Sequence, residues 1–249
     1  YNIGVGTQTL LVQTTGSRNI AIGYQAIRMG TAHSDNLGIG YQSMYGDGTN
    51  TNGAVSGADN LGLGNYTLGT LTSGSRNIAI GKNAADGFDA EDDNIAIGIS
   101  ALGGAIAGGE KNIAIGNYAL DATTSGDYNV AVGHEASSAN AAGEYNTAIG
   151  YNAHLYITGT SSNTLIGANA GRGQSGEAGG HDNVVVGKGA FYNWTTGGQN
   201  VLMGKDAGYK IRSGTGNVVL GYGGHSQNWA DGSHNTAVGY YAQSHINGG

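Results

Sequence analysis

One five-residue motif constrains the fold of this chain more than any other feature. Asn-x-x-aliphatic-Gly, with Met in one copy, occurs fourteen times from Asn2 to Gly239. Nine of the thirteen intervals between successive motif asparagines are 17 residues long, and the others are 18, 18, 20 and 24. A fixed period with small insertions is typical of a protein whose copies pack on one another. The motif therefore predicts a parallel β-solenoid of about fourteen coils.

The residue types within the motif predict a short strand between two corners. In the copy Asn77-Ile-Ala-Ile-Gly81 the two Ile side chains share one face of a strand and the Ala takes the other. Gly permits a backbone with positive φ, and Asn can bond its own neighbouring backbone, so both are expected to form corners. The representative corner residues are Asn19, Gly23, Asn77, Gly81, Asn112, Gly116, Asn146, Gly150, Asn235 and Gly239.

The same copy predicts which side of each coil is bulky. We expect the Ile and Val side chains to form a ladder that each coil buries against its neighbours. The opposite side is expected to be thin, because the seventh residue after the Asn is usually small, as at Ala26 and Ala84. Residues 1–249 are predicted to form a single solenoid domain, with insertions at about 47–57 and 171–182.

Composition supports an ordered all-β chain and argues against several classes of partner. Gly numbers 49 and Pro and Cys are absent, yet 39% of the residues are hydrophobic, which is too many for a disordered segment. Charged residues are 11% and the net charge is −7, so a basic surface for nucleic acid or anionic lipid is not expected. No apolar run is long enough to span a membrane, so this segment is not predicted to insert into one.

The chain is predicted not to be an enzyme and to need no metal or cofactor. Its densest acidic stretch, Asp86, Asp89, Glu91, Asp92 and Asp93, lies in the turn before Asn94, where a solvated loop explains it better than a pair of catalytic carboxylates. The seven His residues show no metal-ligand spacing. Residues 17 apart, such as His134 and Tyr151, are instead expected to lie one above the other in successive coils.

Aromatic side chains are the candidates for contact with a ligand, because exposed rings with a polar tip suit stacking on sugars. Packing against the next coil is the alternative interpretation of these rings. The two insertions are further candidates as recognition loops. The candidate glycan-contact residues are Trp194, Trp229, Tyr24, Tyr41, Tyr151, Tyr222 and Tyr240.

The copies Asn19-Ile-Ala-Ile-Gly-Tyr-Gln-Ala26 and Asn146-Thr-Ala-Ile-Gly-Tyr-Asn-Ala153 resemble the head repeats of YadA-like trimeric autotransporter adhesins. They look even more like the longer variants in phage and virus-like tail-fibre proteins. The resemblance implies a left-handed parallel β-roll that associates as a homotrimer, with the thin Ala-bearing faces as contact surfaces.

Together these observations predict a structural or adhesive fibre segment, most like a phage tail fibre that attaches to a glycan or protein of a host surface. Such a segment would be extracellular, on a virion or a cell. Two alternatives remain open: the head of a bacterial trimeric adhesin, and a self-assembling extracellular filament whose solenoid ends stack head to tail.

Overall fold

The computed structural model describes residues 1–12, 15–28, 32–46, 57–87, 89–104, 109–174, 178–224 and 232–242. The chain is an all-β parallel β-solenoid with one three-residue strand in each of fourteen coils, which confirms the architecture that the repeat predicts. It divides into two compact units, Tyr1–Gly126 (unit 1) and Asp127–Gly249 (unit 2).

Every strand is made of the three residues that follow a motif Asn. Unit 1 contains β1 (Ile3–Val5), β2 (Ile20–Ile22), β3 (Leu37–Ile39), β4 (Leu61–Leu63), β5 (Ile78–Ile80), β6 (Ile95–Ile97) and β7 (Ile113–Ile115). Unit 2 contains β8 (Val130–Val132), β9 (Thr147–Ile149), β10 (Thr164–Ile166), β11 (Val184–Val186), β12 (Val201–Met203), β13 (Val218–Leu220) and β14 (Thr236–Val238).

Equivalent residues of neighbouring coils pair in register within each unit. Ile78 pairs with Ile95 and Ile80 with Ile97, and the insertions between coils do not shift this register. Equivalent positions therefore form ranks along the solenoid. Below, position +n denotes the nth residue after the motif Asn of a coil.

The motif Gly at position +4 forms the predicted corner. Gly64 has φ of +140° and Gly150 has φ of +137°, in the region that favours glycine. A Cβ atom on Gly64 would lie 2.7 Å from the carbonyl oxygen of Gly81, the equivalent residue of the next coil. The Gly is thus required both by the corner and by the close approach of successive coils.

The motif Asn has partners in the next coil in addition to the local ones that were predicted. Asn77 Oδ1 accepts a hydrogen bond from the Asn94 backbone NH at 3.0 Å, and Asn77 Nδ2 donates to the Glu91 carbonyl at 2.6 Å. The same pattern recurs in unit 2, where Asn146 Oδ1 accepts from Asn163 NH at 3.1 Å. The predicted local bond also occurs, as from Asn163 Nδ2 to the Ser161 carbonyl at 3.0 Å. These side chains are buried, so they satisfy their polar atoms by joining successive coils.

The two faces of the strand are reversed relative to the prediction. The middle residue, at position +2, is fully buried, as at Ala79 and Ala148, whereas the flanking residues Ile78, Ile80 and Ile149 are partly or largely exposed. Where position +2 is Gly, the interior facing the strand has no room even for a methyl group. A Cβ on Gly4 would already lie 2.8 Å from the Thr9 hydroxyl at position +7. The Ile and Val ladder therefore lies outside each coil, and the thin Ala-bearing face lies inside.

Unit 2 carries an aromatic cluster in its interior. Trp194 and Phe191 are fully buried with ring centroids 5.1 Å apart, and the buried ring of His154 lies 5.7 Å from Trp194. His154 Nδ1 bonds the Ser137 hydroxyl at 2.9 Å and its Nε2 bonds the Thr160 hydroxyl at 2.8 Å. Burial lowers the pKa of His154 to about 4, so this histidine is neutral in the folded protein near neutral pH.

Candidate binding surfaces

The outward side chains of the strands form an apolar ladder at positions +1 and +3. In unit 1 all fourteen of these residues are Ile, Leu or Val. Ile22 and Leu63 remain 38% and 43% exposed although their strands are paired on both sides. In unit 2 the ladder continues with Thr at three places, Thr147, Thr164 and Thr236. A continuous exposed apolar stripe is unusual on a monomer and marks a surface that binds something.

Tyrosines of unit 1 stack along the solenoid, which confirms the packing interpretation of these rings. The centroids of Tyr24 and Tyr41 are 5.2 Å apart with an interplanar angle of 17°. Tyr66, in the next coil, lies 5.3 Å from Tyr41 but is turned by 66°. All three side chains remain about 40% exposed. Packing on a neighbouring coil and exposure to a ligand therefore coexist here.

Tyrosines of unit 2 behave in the same way. Tyr151 stacks on His134 at 5.7 Å, as the 17-residue spacing predicts. Tyr222 stacks on Tyr240 at 5.2 Å, and the ammonium of Lys205 lies 5.0 Å from the centre of the Tyr222 ring. Tyr151 and Tyr240 are exposed, so both retain surface for contact.

Of the two tryptophans predicted to contact glycans, Trp194 alone is among the described residues. Trp194 is fully buried, and its indole NH donates to the Gly197 carbonyl at 2.8 Å. Its prediction as a glycan contact was therefore wrong. Aligning the repeat gives a partial signal, because position +11 is also occupied by the buried Leu71, Ile157 and Ile211, although other coils have polar residues there. Trp229 and residues 47–56 and 175–177 of the insertions lie outside the described residues.

The acidic stretch is engaged in contacts between coils. Arg76 Nε bonds Asp93 at 2.6 Å, and Arg76 Nη2 bonds Asp92 at 3.0 Å. The Arg76 guanidinium lowers the pKa of Asp93 below its usual value. Glu91 is buried and accepts hydrogen bonds from the Asp89 and Ala90 backbone. These carboxylates tie turns together.

A groove of about 500 Å³ opens in unit 1 beside the tyrosine stack. The pKa of its carboxyl, Asp86, is raised by desolvation. Sequence reasoning missed this site because three successive coils contribute to it, at positions +5, +6, +9 and +10. Its lining residues are Gln42, Tyr45, Gly46, Tyr66, Gly69, Thr70, Lys82, Asn83 and Asp86.

Within the described ranges, no three or more His, Cys, Asp or Glu residues are grouped so as to hold a metal ion. The same ranges contain no helix long and apolar enough to cross a membrane. No model of a protein family, no curated protein and no solved structure matches this chain.

Proposed function

We propose that the chain is a structural and adhesive segment of an extracellular fibre, of the phage tail-fibre type, which associates with identical chains and attaches to a host surface. The observation that carries this proposal is the apolar ladder. A solenoid that functioned alone would gain nothing from exposing Ile and Val on nearly every strand, and would risk aggregation.

A second copy of this chain is the partner that best fits the ladder. The strands of each unit pair in register, so the outer side chains recur at the strand spacing of about 4.8 Å. An identical chain presents the same spacing and can match it over many coils. The proposed contact surface is thus the outer Ile and Val face, and the inward Ala face expected from the sequence is replaced. The trimeric state implied by the resemblance is retained in the proposal.

Light scattering coupled to size exclusion tests self-association. We expect a mass three times the 25.0 kDa of one chain. The paired ladder residues Ile80 and Ile97 are changed together to Lys in the test variant. Because both side chains point outward, the variant should keep its β-sheet circular dichroism while its mass falls to that of one chain.

Lys210→Glu is the matched control, since Lys210 is an exposed residue outside the ladder and its substitution also changes surface charge. This control should retain the wild-type mass. A folded wild-type chain that runs as a monomer would contradict the proposed association, as would a wild-type mass in the Ile80→Lys, Ile97→Lys variant.

Attachment is tested separately with fluorescently labelled wild-type protein on a panel of bacterial cells. We expect labelling of some strains and not others, because a host receptor differs between strains. Uniform absence of labelling by folded, assembled protein would reject the adhesive part of the proposal and leave the structural part standing.

A further inference from the structure

We propose that the groove between Tyr45, Tyr66 and Asp86 binds one pyranose unit of a neutral glycan. This inference rests on the adhesive part of the proposed function and names the site that would carry it. The groove combines aromatic rings with amide, hydroxyl and charged groups in a concave surface of about 500 Å³, a combination typical of ligand sites.

The groove lies where the coil between those of Tyr45 and Asp86 has no side chain at position +9. Position +9 is Arg28, Tyr45, Gly69 and Asp86 in four successive coils. Arg28 supports Tyr45 through a 2.9 Å hydrogen bond to the phenol oxygen. With coils spaced about 4.8 Å apart, the gap at Gly69 is roughly 10 Å from Tyr45 to Asp86. A single sugar ring fits such a gap.

The same rank is filled in unit 2. Arg172, Tyr192 and Tyr209 occupy position +9 in successive coils, and the rings of Tyr192 and Tyr209 stack at 5.0 Å. The Arg172 guanidinium lies 5.0 Å from the Tyr192 ring centre. A continuous rank of this kind leaves no gap for a ligand, so unit 2 shows what the groove would be without Gly69.

Aromatic surface for stacking is supplied by Tyr66. Its ring is turned by 66° from Tyr41 and does not continue the parallel stack that Tyr24 and Tyr41 form. At 40% exposure, much of the side chain faces solvent. An exposed ring beside a gap offers the apolar platform on which the C–H face of a pyranose packs.

Hydroxyl recognition is supplied by groups with unused hydrogen-bonding capacity. Gln42 donates its amide nitrogen to Gln25 at 2.7 Å, and its Oε1 is an acceptor with two lone pairs. Asn83 Oδ1 is buried and has no hydrogen-bond partner among the described residues. A buried acceptor without a donor is costly, so a turn of the Asn83 side chain that brings Oδ1 to a sugar hydroxyl would be favourable. The Asp86 carboxylate can accept from two vicinal hydroxyls.

Charge favours a neutral sugar. The groove is lined by one cation, Lys82, and one anion, Asp86, so its formal charge is balanced. The site also leaves self-association intact, because its residues lie after the Gly corner at positions +5 to +10, whereas the ladder occupies positions +1 and +3. A glycan could therefore bind to the assembled fibre.

The test uses an array of neutral hexosides and N-acetylhexosaminides, followed by calorimetric titration with the methyl glycoside of the best hit. Gly69→Tyr fills the gap as unit 2 does. The atom nearest to a Cβ at position 69 would be the Tyr66 carbonyl oxygen, at 3.4 Å, so the fold should tolerate the Tyr side chain. We expect at least a tenfold loss of affinity. Asp86→Asn keeps the shape of the groove and should weaken binding by about tenfold, through loss of hydrogen bonds to a charged acceptor.

Tyr145→Ala is the matched control, because Tyr145 is an exposed ring stacked on Tyr128 of a neighbouring coil but outside the groove. Its affinity should equal that of the wild type. The proposal is overturned if folded wild-type protein binds no glycoside on the array, or if folded Gly69→Tyr and Asp86→Asn both bind as the wild type does. Binding restricted to acidic sugars, peptides or nucleotides would also overturn it.

Failure of the groove can be told apart from failure of adhesion. If bacterial cells are labelled equally by the wild type and by Gly69→Tyr, attachment stands and uses another surface. If glycoside binding is lost in the variant but no cells are labelled by the wild type, the groove is a sugar site and the adhesive proposal fails.

Discussion

The two units share one backbone pattern but fill their interiors differently. In unit 1 position +2 is always Gly or Ala, and position +8 is usually a large apolar residue, such as Leu68 or Leu120. In unit 2 position +2 grows to Leu165 or Leu202, and position +8 of those same coils is Gly. The Gly corners are thus the same in both units, whereas the large interior residue moves from position +8 to position +2 in these coils of unit 2.

The exchange follows from steric contact across the coil. A Cβ on Gly171 would lie 2.5 Å from Leu165 Cδ2, and one on Gly208 would lie 2.9 Å from Leu202 Cδ1. In the coils of Leu165 and Leu202 the cavity has room for one large side chain at these two positions, whereas another coil of unit 2 buries both Val185 and Phe191 there. Interiors are packed near crystal density, so in the first two coils the large side chain must be balanced by a glycine.

The corner glycines should be the most sensitive positions in both units. Gly64→Ala in unit 1 and Gly150→Ala in unit 2 each place a Cβ within 2.7 Å of the next coil's carbonyl oxygen and force Ala to a positive φ. We expect each to lower the free energy of unfolding by about 3–5 kcal/mol. Urea unfolding followed by circular dichroism measures this. A much larger loss in one unit would break the equivalence of the corners.

Gly239→Ala is the control for the corner substitutions. Gly239 has φ of +123°, but no described atom lies within 4 Å of its added Cβ. Gly239→Ala should lower the free energy of unfolding by the backbone strain alone, about 1–3 kcal/mol. Equal losses at Gly150 and Gly239 would show that strain dominates and that the close approach of coils matters little.

Truncation of Trp194 should weaken unit 2 selectively. Trp194→Ala removes a fully buried ring that contacts Phe191 and His154, and we expect a loss of about 3–5 kcal/mol. Hydrogen exchange read by mass spectrometry should increase in peptides from residues 127–249. Glycoside affinity of the folded variant should not change, in contrast to the sequence-based interpretation of this ring. Increased exchange confined to residues 1–126 would contradict the assignment.

Acid should also destabilise unit 2, through His154. Burial lowers the pKa of His154 from 6.5 to about 4, so the unfolded chain takes up a proton at a higher pH than the folded one. The stability that the neutral, buried His154 contributes is fully present above pH 6.5. It is lost as the pH falls towards 4 and does not change further below that. The free energy of unfolding falls by about 3 kcal/mol in total, at 1.36 kcal/mol per pKa unit.

His154→Gln separates this histidine from other acid effects. Glutamine keeps a hydrogen-bonding side chain beside Ser137 and Thr160 but does not titrate. Urea unfolding of the variant between pH 4 and 7 should show a shallower loss of stability than the wild type. The same slope in both proteins would remove His154 as the cause.

The sequence was sufficient for the backbone and insufficient for the direction of side chains. The repeat locates every strand and every Gly corner, because each copy meets the same steric requirement. The inside and outside of Asn-Ile-Ala-Ile-Gly could not be assigned from alternation alone, since period two distinguishes two faces without saying which is buried. One signal was available. Gly at position +2 is always accompanied by Ser or Thr at position +7, as in Gly62 and Thr67, which indicates that these positions face each other inside the coil.

The groove was harder to predict because its residues are distant in sequence and polar. Gln42, Tyr66 and Asp86 acquire a common surface only when three coils are stacked. An alignment by position shows the missing side chain at Gly69, but not that Asn83 Oδ1 has no partner among the described residues. That fact depends on the direction of each side chain, which the repeat does not fix.

The smallest expected effect is the coupling between positions 165 and 171. It tests most directly whether a large residue at position +2 replaces one at position +8. Leu165→Ala alone should cost about 2–4 kcal/mol by leaving a cavity, and Gly171→Leu alone should overpack the same space. The double variant recreates the Ala114 and Leu120 pair of unit 1. Leu120 has φ of +52° and Gly171 has φ of +54°, so the backbone at position 171 suits Leu. The double variant should therefore be more stable than the sum of the single losses predicts, by about 1–2 kcal/mol.

Urea unfolding of the wild type, both single variants and the double variant gives this coupling directly. Leu165→Ala combined with Gly189→Ala is the control cycle, because Gly189 lies at position +6 of the next coil and its added Cβ would face the Asp206 carboxylate instead of Leu165. That pair should be additive. Additivity in the Leu165 and Gly171 cycle as well would mean that each unit fills its interior by its own rule, so that the Leu and Gly pairs of unit 2 are not counterparts of the Ala and Leu pairs of unit 1.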